Sequence, residues 1–146
     1  MKIVIGSDHA GFELKREIVT YIANVKQIAC VDMGPFNTNS VDYPDYAAKV
    51  CERMLDDPDL RGILLCGTGI GMSMKANRYP RIFATLCNSA EDAKLAKQHN
   101  NSNVLVLGAR KLTFGAAREI IDTWLETEFE GGRHQVRIYK IDKIDV

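Results

Sequence analysis

Apolar positions along this chain switch repeatedly between two patterns. Short, nearly unbroken β-rich runs occur at Lys2–Gly6, Ile28–Met33, Gly62–Cys66, Ile82–Cys87 and Asn103–Gly108. Runs of this length and content suit strands covered on both faces. Between them the apolar residues recur at helical spacing. Leu14, Ile18, Tyr21, Ile22 and Val25 predict a helix from Phe12 to Val25. Tyr46, Ala47, Val50, Met54 and Leu55 predict a second. A helix that starts in the central glycine loop is expected to run through Met72–Asn77. Ser89 has the character of an N-cap, with Asp92 three residues on and Ala93, Leu95 and Ala96 following. Thr113–Leu125 is the last predicted helix. Gly34 to Pro44 is a polar loop. Glu126–Val146 is a polar, basic stretch that need not pack on its own subunit.

Five strands separated by helices imply βαβ units with right-handed crossovers. The expected fold is therefore α/β: a Rossmann-like, three-layer αβα sandwich around a five-stranded, mostly parallel sheet. The 146 residues suit a single domain over 1–146. A domain of this size buries roughly 68–70% of its unfolded surface. The 126–146 tail is expected to contact a partner subunit.

Charge adds exclusions. The 19 basic and 19 acidic residues balance, with no basic stripe for nucleic acid or an anionic membrane. No apolar stretch approaches the roughly 20 residues of a spanning helix. Met1-Lys2-Ile3-Val4-Ile5-Gly6-Ser7-Asp8 runs from strand into charged turn, unlike a signal peptide, so a cytoplasmic protein is expected. Cys30, Cys51, Cys66 and Cys87 form no CxxC pair and fit no zinc spacing. Cys30, Cys51 and Cys87 read as reduced, mostly buried thiols.

In open parallel sheets, ligands bind beyond the carboxyl ends of the strands. Ser7, Asp8 and His9 follow the first strand, and Asp42 and Tyr43 the second. Cys66 opens the loop Gly67-Thr68-Gly69-Ile70-Gly71, and Arg110 follows the fifth strand. A carboxylate, an imidazole, a phenol, a thiol and a guanidinium thus gather on one edge. The glycine loop is not a dinucleotide fingerprint, because Met72 stands where GxGxxG from Gly67 needs its last glycine. No Gly-Lys-Ser/Thr P-loop occurs either. A tight turn and an anion cradle at a helix N-terminus both fit the loop. Cys66 fits a buried structural thiol or a general base beside backbone N–H donors. A phosphatase nucleophile lacks its arginine, because Met72 occupies that place. Asp8-His9 fits a turn and cap, His99-Asn100 a helix end, and Arg133 and Arg137 a solvated face.

Taken as a set, these residues resemble the type B ribose-5-phosphate isomerases, of the sugar-phosphate isomerase family that also holds galactose-6-phosphate isomerase subunits. The resemblance rests on Gly6-Ser7-Asp8-His9-Ala10-Gly11-Phe12, Asp42-Tyr43-Pro44 and Cys66-Gly67-Thr68-Gly69-Ile70-Gly71. It continues through Gln98-His99-Asn100, Leu107-Gly108-Ala109-Arg110 and Glu130-Gly131-Gly132-Arg133-His134-Gln135-Val136-Arg137. It implies a metal-free, cofactor-free aldose–ketose isomerase that interconverts ribose 5-phosphate and ribulose 5-phosphate in the pentose phosphate pathway. It gives Cys66 the role of base, and the N–H groups of Gly67, Thr68, Gly69, Ile70 and Gly71 that of oxyanion hole. His99, with Asp8, becomes the ring-opening acid/base. Tyr43, Thr68 and Asn100 become sugar contacts, and His9, Arg110, Arg133 and Arg137 a phosphate clamp. Family members without the cysteine use a carboxylate further along the loop. Here no Asp or Glu occurs through Lys75.

His99 and Asn100 precede the fifth strand, at the opposite sheet edge from the other candidates. They reach the site most easily from a second subunit. A homodimer with shared sites, or a tetramer of such dimers, is therefore expected. Two alternatives remain: an isomerase of a six-carbon sugar phosphate such as allose or galactose 6-phosphate, and a non-catalytic sugar-phosphate sensor on the same fold.

Overall fold

A computed structural model describes residues 1–142. The elements, in order, are β1 (Lys2–Ser7), α1 (Phe12–Asn24), β2 (Ala29–Asp32), α2 (Tyr43–Asp56), β3 (Leu60–Cys66) and α3 (Ile70–Ala76). They continue with β4 (Ala84–Leu86), α4 (Ala90–Asn100), β5 (Val104–Gly108), α5 (Phe114–Glu126) and α6 (Arg133–Asp142). The five strands form one sheet in the order β2-β1-β3-β5-β4, and every pairing is parallel. The α/β sandwich is as expected, with an all-parallel sheet in place of a mostly parallel one.

Alternation along the strands divides the core in two. Ile3, Ile5, Ile63, Leu65, Leu105 and Leu107 face α1, α4 and α5, where Ile18, Ile22, Ile120, Ile121 and Trp124 are at most 1% exposed. Val4, Leu64, Cys66, Val104 and Val106 face α2 and α3, against Val50, Met54, Met72 and Ala76. Burying an aliphatic side chain of this size contributes roughly 1.5–3 kcal/mol, so the strand runs dominate the fold's stability. Trp124 satisfies its indole N–H on Ser102 Oγ, 3.1 Å away.

Two elements differ from the sequence expectation. β4 is three residues long, because Ile82 and Phe83 lie outside it. There the amides of Phe83 and Ala84 donate to the side-chain oxygens of Asn103 and Asn77, both at 2.8 Å, instead of to a neighbouring strand. The polar tail, for which no helix is predicted, also folds. Gly131 and Gly132 take positive φ (71° and 59°) and turn the chain into α6. His134 and Ile138, four apart, are buried there. The Glu130 amide donates to Gln98 O at 3.1 Å, fastening the entry of α6 to α4. The tail's last four residues lie outside the described residues.

Candidate active site

Because all strands run the same way, their carboxyl ends share one edge. Strand order reverses between β1 and β3, and their ends meet: Asp8 N–H donates to Leu65 O at 3.1 Å. Open sheets bind ligands at such a switch point. Asp8 is buried and its Oδ1 accepts the Gly11 amide at 3.1 Å, which caps the turn into α1. The cap occupies Oδ1 and leaves the second carboxylate oxygen for another partner. The structural and chemical readings of Asp8 are therefore compatible.

Cys66 ends β3 with 5% exposure. Its Sγ accepts a hydrogen bond from the Gly69 amide at 3.1 Å, so the loop folds back onto the sulfur. That return needs glycine at position 69, where φ is +80° and a Cβ would sit 2.5 Å from Leu86 Cδ1. The Ile70 amide donates to Thr68 Oγ1 at 3.3 Å. The first amides of α3 have no intrahelical acceptor and point at the same edge.

Two larger side chains cover this loop. Tyr43 opens α2, and its ring lies over Gly71, where a Cβ would approach Tyr43 Cζ to 2.5 Å. Arg110 lies over Gly67, with its Nη1 2.9 Å from where a Cβ would stand. The Arg110 amide donates to Gly67 O at 3.0 Å and the Ala109 amide to Cys66 O at 2.8 Å, so the guanidinium is carried by backbone bonded to the glycine loop. His9 Nδ1 accepts the Val41 amide at 3.1 Å, which makes Nε2 the protonated, donating nitrogen of the neutral ring.

Lys15 was not foreseen as part of this region. It is fully buried on α1, and its Nζ donates to Asp32 Oδ1 and Pro35 O, both at 2.7 Å. Asp32 Oδ1 also accepts the Gly34 amide at 2.8 Å. This knot fixes the start of the loop whose far end holds His9. A lysine on an otherwise apolar helix face, between Leu14 and Ile18, was its sequence signal.

Burial separates the thiols. It pushes the Cys30 thiol up to about 11, Cys51 to about 12 and Cys87 to about 11, so those three stay protonated near neutrality.

The remaining candidates lie elsewhere. His99 and Asn100 end α4, which leads to the amino end of β5, at the opposite sheet edge. Arg133 and Arg137 share an exposed face of α6, which packs against α4. His99 stacks on His134, with centroids 4.3 Å apart and 13° between planes. Burial, then neighbouring His99, pushes His134 below the usual imidazole range. The chain thus gathers Asp8, His9, Tyr43, Cys66, Gly67, Thr68, Gly69, Ile70, Gly71 and Arg110 at one edge. It keeps His99, Asn100, Arg133 and Arg137 at the other. Glu130 and His134, beside His99, were not singled out from the sequence, because their partner is a helix end some thirty residues earlier.

A parallel α/β sheet with a thiol, a carboxylate and a guanidinium around a glycine loop at its switch point defines a protein that handles a small anionic ligand. More particularly, the chain belongs to the ribose/galactose isomerase family, whose model matches residues 3–141. It is 40% identical to ribose-5-phosphate isomerase B of Escherichia coli, over 99% of this chain and 96% of that protein. The crystal structure of a ribose 5-phosphate isomerase RpiB from Thermotoga maritima superposes with a TM-score of 0.95 at 51% identity, covering 98% of each chain. That of ribose-5-phosphate isomerase B from Mycoplasma genitalium, with bound ribulose-5-phosphate, superposes with a TM-score of 0.90 at 44% identity, covering 96% of this chain and 93% of that one.

Proposed function

We propose that this chain is a ribose-5-phosphate isomerase that interconverts ribose 5-phosphate and ribulose 5-phosphate, a step of the pentose phosphate pathway, in the cytoplasm. The observation that carries the reading is the junction of Cys66 with its glycine loop. The sulfur sits as a hydrogen-bond acceptor at the switch point, with Asp8 on the next strand and Arg110 over the loop. The relative from Mycoplasma genitalium holds the ketose product of this reaction.

In the proposed mechanism the furanose is opened first, with His99 of a second subunit and Asp8 moving the ring proton. Cys66 as thiolate then takes the proton from C2 of the open aldose. The C2–H electron pair forms the C1=C2 double bond of the enediolate, and negative charge moves onto O1. Backbone N–H groups of the Gly67–Gly71 loop meet that charge. Cys66 returns its proton to C1, and the proton on O2 passes to O1 as the ketone forms at C2, so that C1 ends as a CH2OH group. Atoms and electrons balance without a redox partner. Tyr43, Thr68 and Asn100 hold the sugar hydroxyls. His9, Arg110, Arg133 and Arg137 hold the phosphate dianion, for which planar arginine forks are suited. Because His99, Asn100, Arg133 and Arg137 lie at the far edge, the reading requires a homodimer with sites shared between subunits.

The test is ribulose 5-phosphate formation from ribose 5-phosphate by the wild type and Cys66→Ser. A positioned acid/base group contributes roughly 10²–10⁴-fold, and a loss of that order in kcat is expected. Equal rates would remove Cys66 from the role of base.

A further inference from the structure

His99, Glu130 and His134 meet where α4 ends and α6 begins, and the proposed isomerase chemistry uses only His99. His134 leaves the first turn of α6 with its side chain 8% exposed. Its Nε2 is buried and has no hydrogen-bond partner among the described residues. Both imidazole Nε2 atoms approach the same Glu130 oxygen, His134 at 3.4 Å and His99 at 3.8 Å. One ligand atom from each of the three residues lies within 4.8 Å of the other two. A buried polar atom left unpaired costs about 1–3 kcal/mol. The His134 nitrogen lies 3.4 Å from the Glu130 oxygen that His99 also approaches.

We propose that His99 Nε2, Glu130 Oε1 and His134 Nε2 form a binding site for a divalent transition-metal ion of the zinc type. Two imidazoles and a carboxylate are a donor set that suits Zn²⁺. Tetrahedral bonds of about 2.0–2.1 Å put neighbouring ligand atoms roughly 3.3–3.4 Å apart. The carboxylate-to-imidazole separations of 3.4 and 3.8 Å are within a few tenths of that spacing. The near-parallel planes, 13° apart with centroids at 4.3 Å, keep the in-plane lone pairs from converging on one ion, so capture must turn one ring toward the other. His99, 41% exposed at the end of its helix, has room to turn. The Glu130 amide is anchored on Gln98 O, which holds the carboxylate's backbone against α4. Half-exposed Glu130 leaves a fourth position open to water. Arg133 and Arg137 on the same helix oppose a cation, so affinity is expected to be micromolar rather than nanomolar.

A metal ion here occupies the His99 nitrogen and takes it out of the reaction. The ion is thus an inhibitor and not a cofactor. That consequence rests on the proposed role of His99; the site itself does not.

Binding of Zn²⁺ is measured on the full chain by competition with a chromophoric chelator, and coordination by the visible spectrum of Co²⁺. The wild type, Cys66→Ser, Glu130→Gln and His134→Ala are compared. The wild type and Cys66→Ser should bind one ion per chain with equal affinity, and Co²⁺ should show d–d bands without thiolate charge transfer. Glu130→Gln and His134→Ala should each bind at least about tenfold more weakly, since even outer partners of metal ligands are worth roughly 10–100-fold. Glu130→Gln alters an exposed side chain and decides the matter if His134→Ala does not fold. Zinc affinity that vanishes in Cys66→Ser, or is unchanged in Glu130→Gln, or no binding in the wild type, overturns the site. Zinc should inhibit the wild type reversibly by chelation and Glu130→Gln far less. Zinc held at this site with full isomerase activity would uphold the site and overturn the role of His99.

Discussion

Four thiols in one chain are made different by where each ends up. Cys30, Cys51 and Cys87 lie where burial holds them at about 11, 12 and 11. Among the described residues, Cys66 alone receives an N–H bond on sulfur, at the edge of the candidate site. Alkylation with iodoacetamide near pH 8 should therefore label Cys66 first, with activity falling in step and ribulose 5-phosphate slowing both. Peptide mass mapping that finds Cys30 labelled ahead of Cys66 would count against this division. The raised thiols also set a stability limit. Above the ordinary value of 9.0, thiols of the unfolded chain ionise while the folded ones keep their protons to about 11–12. The folded state then binds more protons, so stability falls as pH rises through that window and is untouched below it. In urea titrations between pH 8 and 10.5, Cys51→Ala should show a shallower loss than the wild type, whatever its offset from the cavity it leaves. A parallel pair of curves would refute the assignment to Cys51. Gly69 matters at the same scale. Alanine there would face φ of +80° and the Leu86 side chain, a strain of about 1–3 kcal/mol that also pulls the amide off Cys66.

Elements were legible in proportion to how much of their face is apolar. The five strands announced themselves because runs such as Ile63-Leu64-Leu65 face helices on both sides. The gathering of candidate residues was legible too, since parallel topology alone sends Asp8, Tyr43, Cys66 and Arg110 to one side. β4 was read too long because Ile82 and Phe83 are apolar yet lie outside the ladder, where Asn103 and Asn77 side chains take the amides of Phe83 and Ala84. α6 was missed as an element because its buried stripe is a single isoleucine and a histidine. For the same reason Glu130 and His134 were not singled out. Their meaning depends on a helix end that only tertiary packing brings near. Ile138 is 4% exposed, and Asp142 Oδ2 accepts the Arg81 amide at 2.7 Å. Ile138→Ala removes the buried aliphatic side chain of α6, a change of roughly 2–5 kcal/mol at a core site. Hydrogen exchange should then show the α6 amides losing protection while β3 keeps its own. Equal loss in both would show that α6 unfolds only with the whole chain. Turnover should fall with α6, since Arg133 and Arg137 ride on it.

The molecule as a whole poses a problem of reach. β3 runs seven residues from Leu60 to Cys66, and at roughly 3.3 Å per residue its ends are about 20 Å apart. Cys66 is at one end of the sheet, while His99 precedes the strand that enters at the other. No imidazole spans such a gap, and α4 is locked to its own core through Ala93 and Ala96. If Cys66 and His99 serve one sugar, two chains must supply them. A twofold axis would do so twice over, with the far edge of each chain facing the ligand edge of the other. The proposed phosphate clamp would divide the same way, with His9 and Arg110 from one chain and Arg133 and Arg137 from the next. Mixing inactive Cys66→Ala with inactive His99→Ala tests the division. Each hybrid dimer then carries one site with both defects and one with neither. With equal amounts and free exchange, half the dimers are hybrid, so about a quarter of wild-type activity should return. Full inactivity in a sample whose hybrids are proved by mass spectrometry would mean that His99 does not act on the sugar bound at Cys66, and the shared-site arrangement would fall with it.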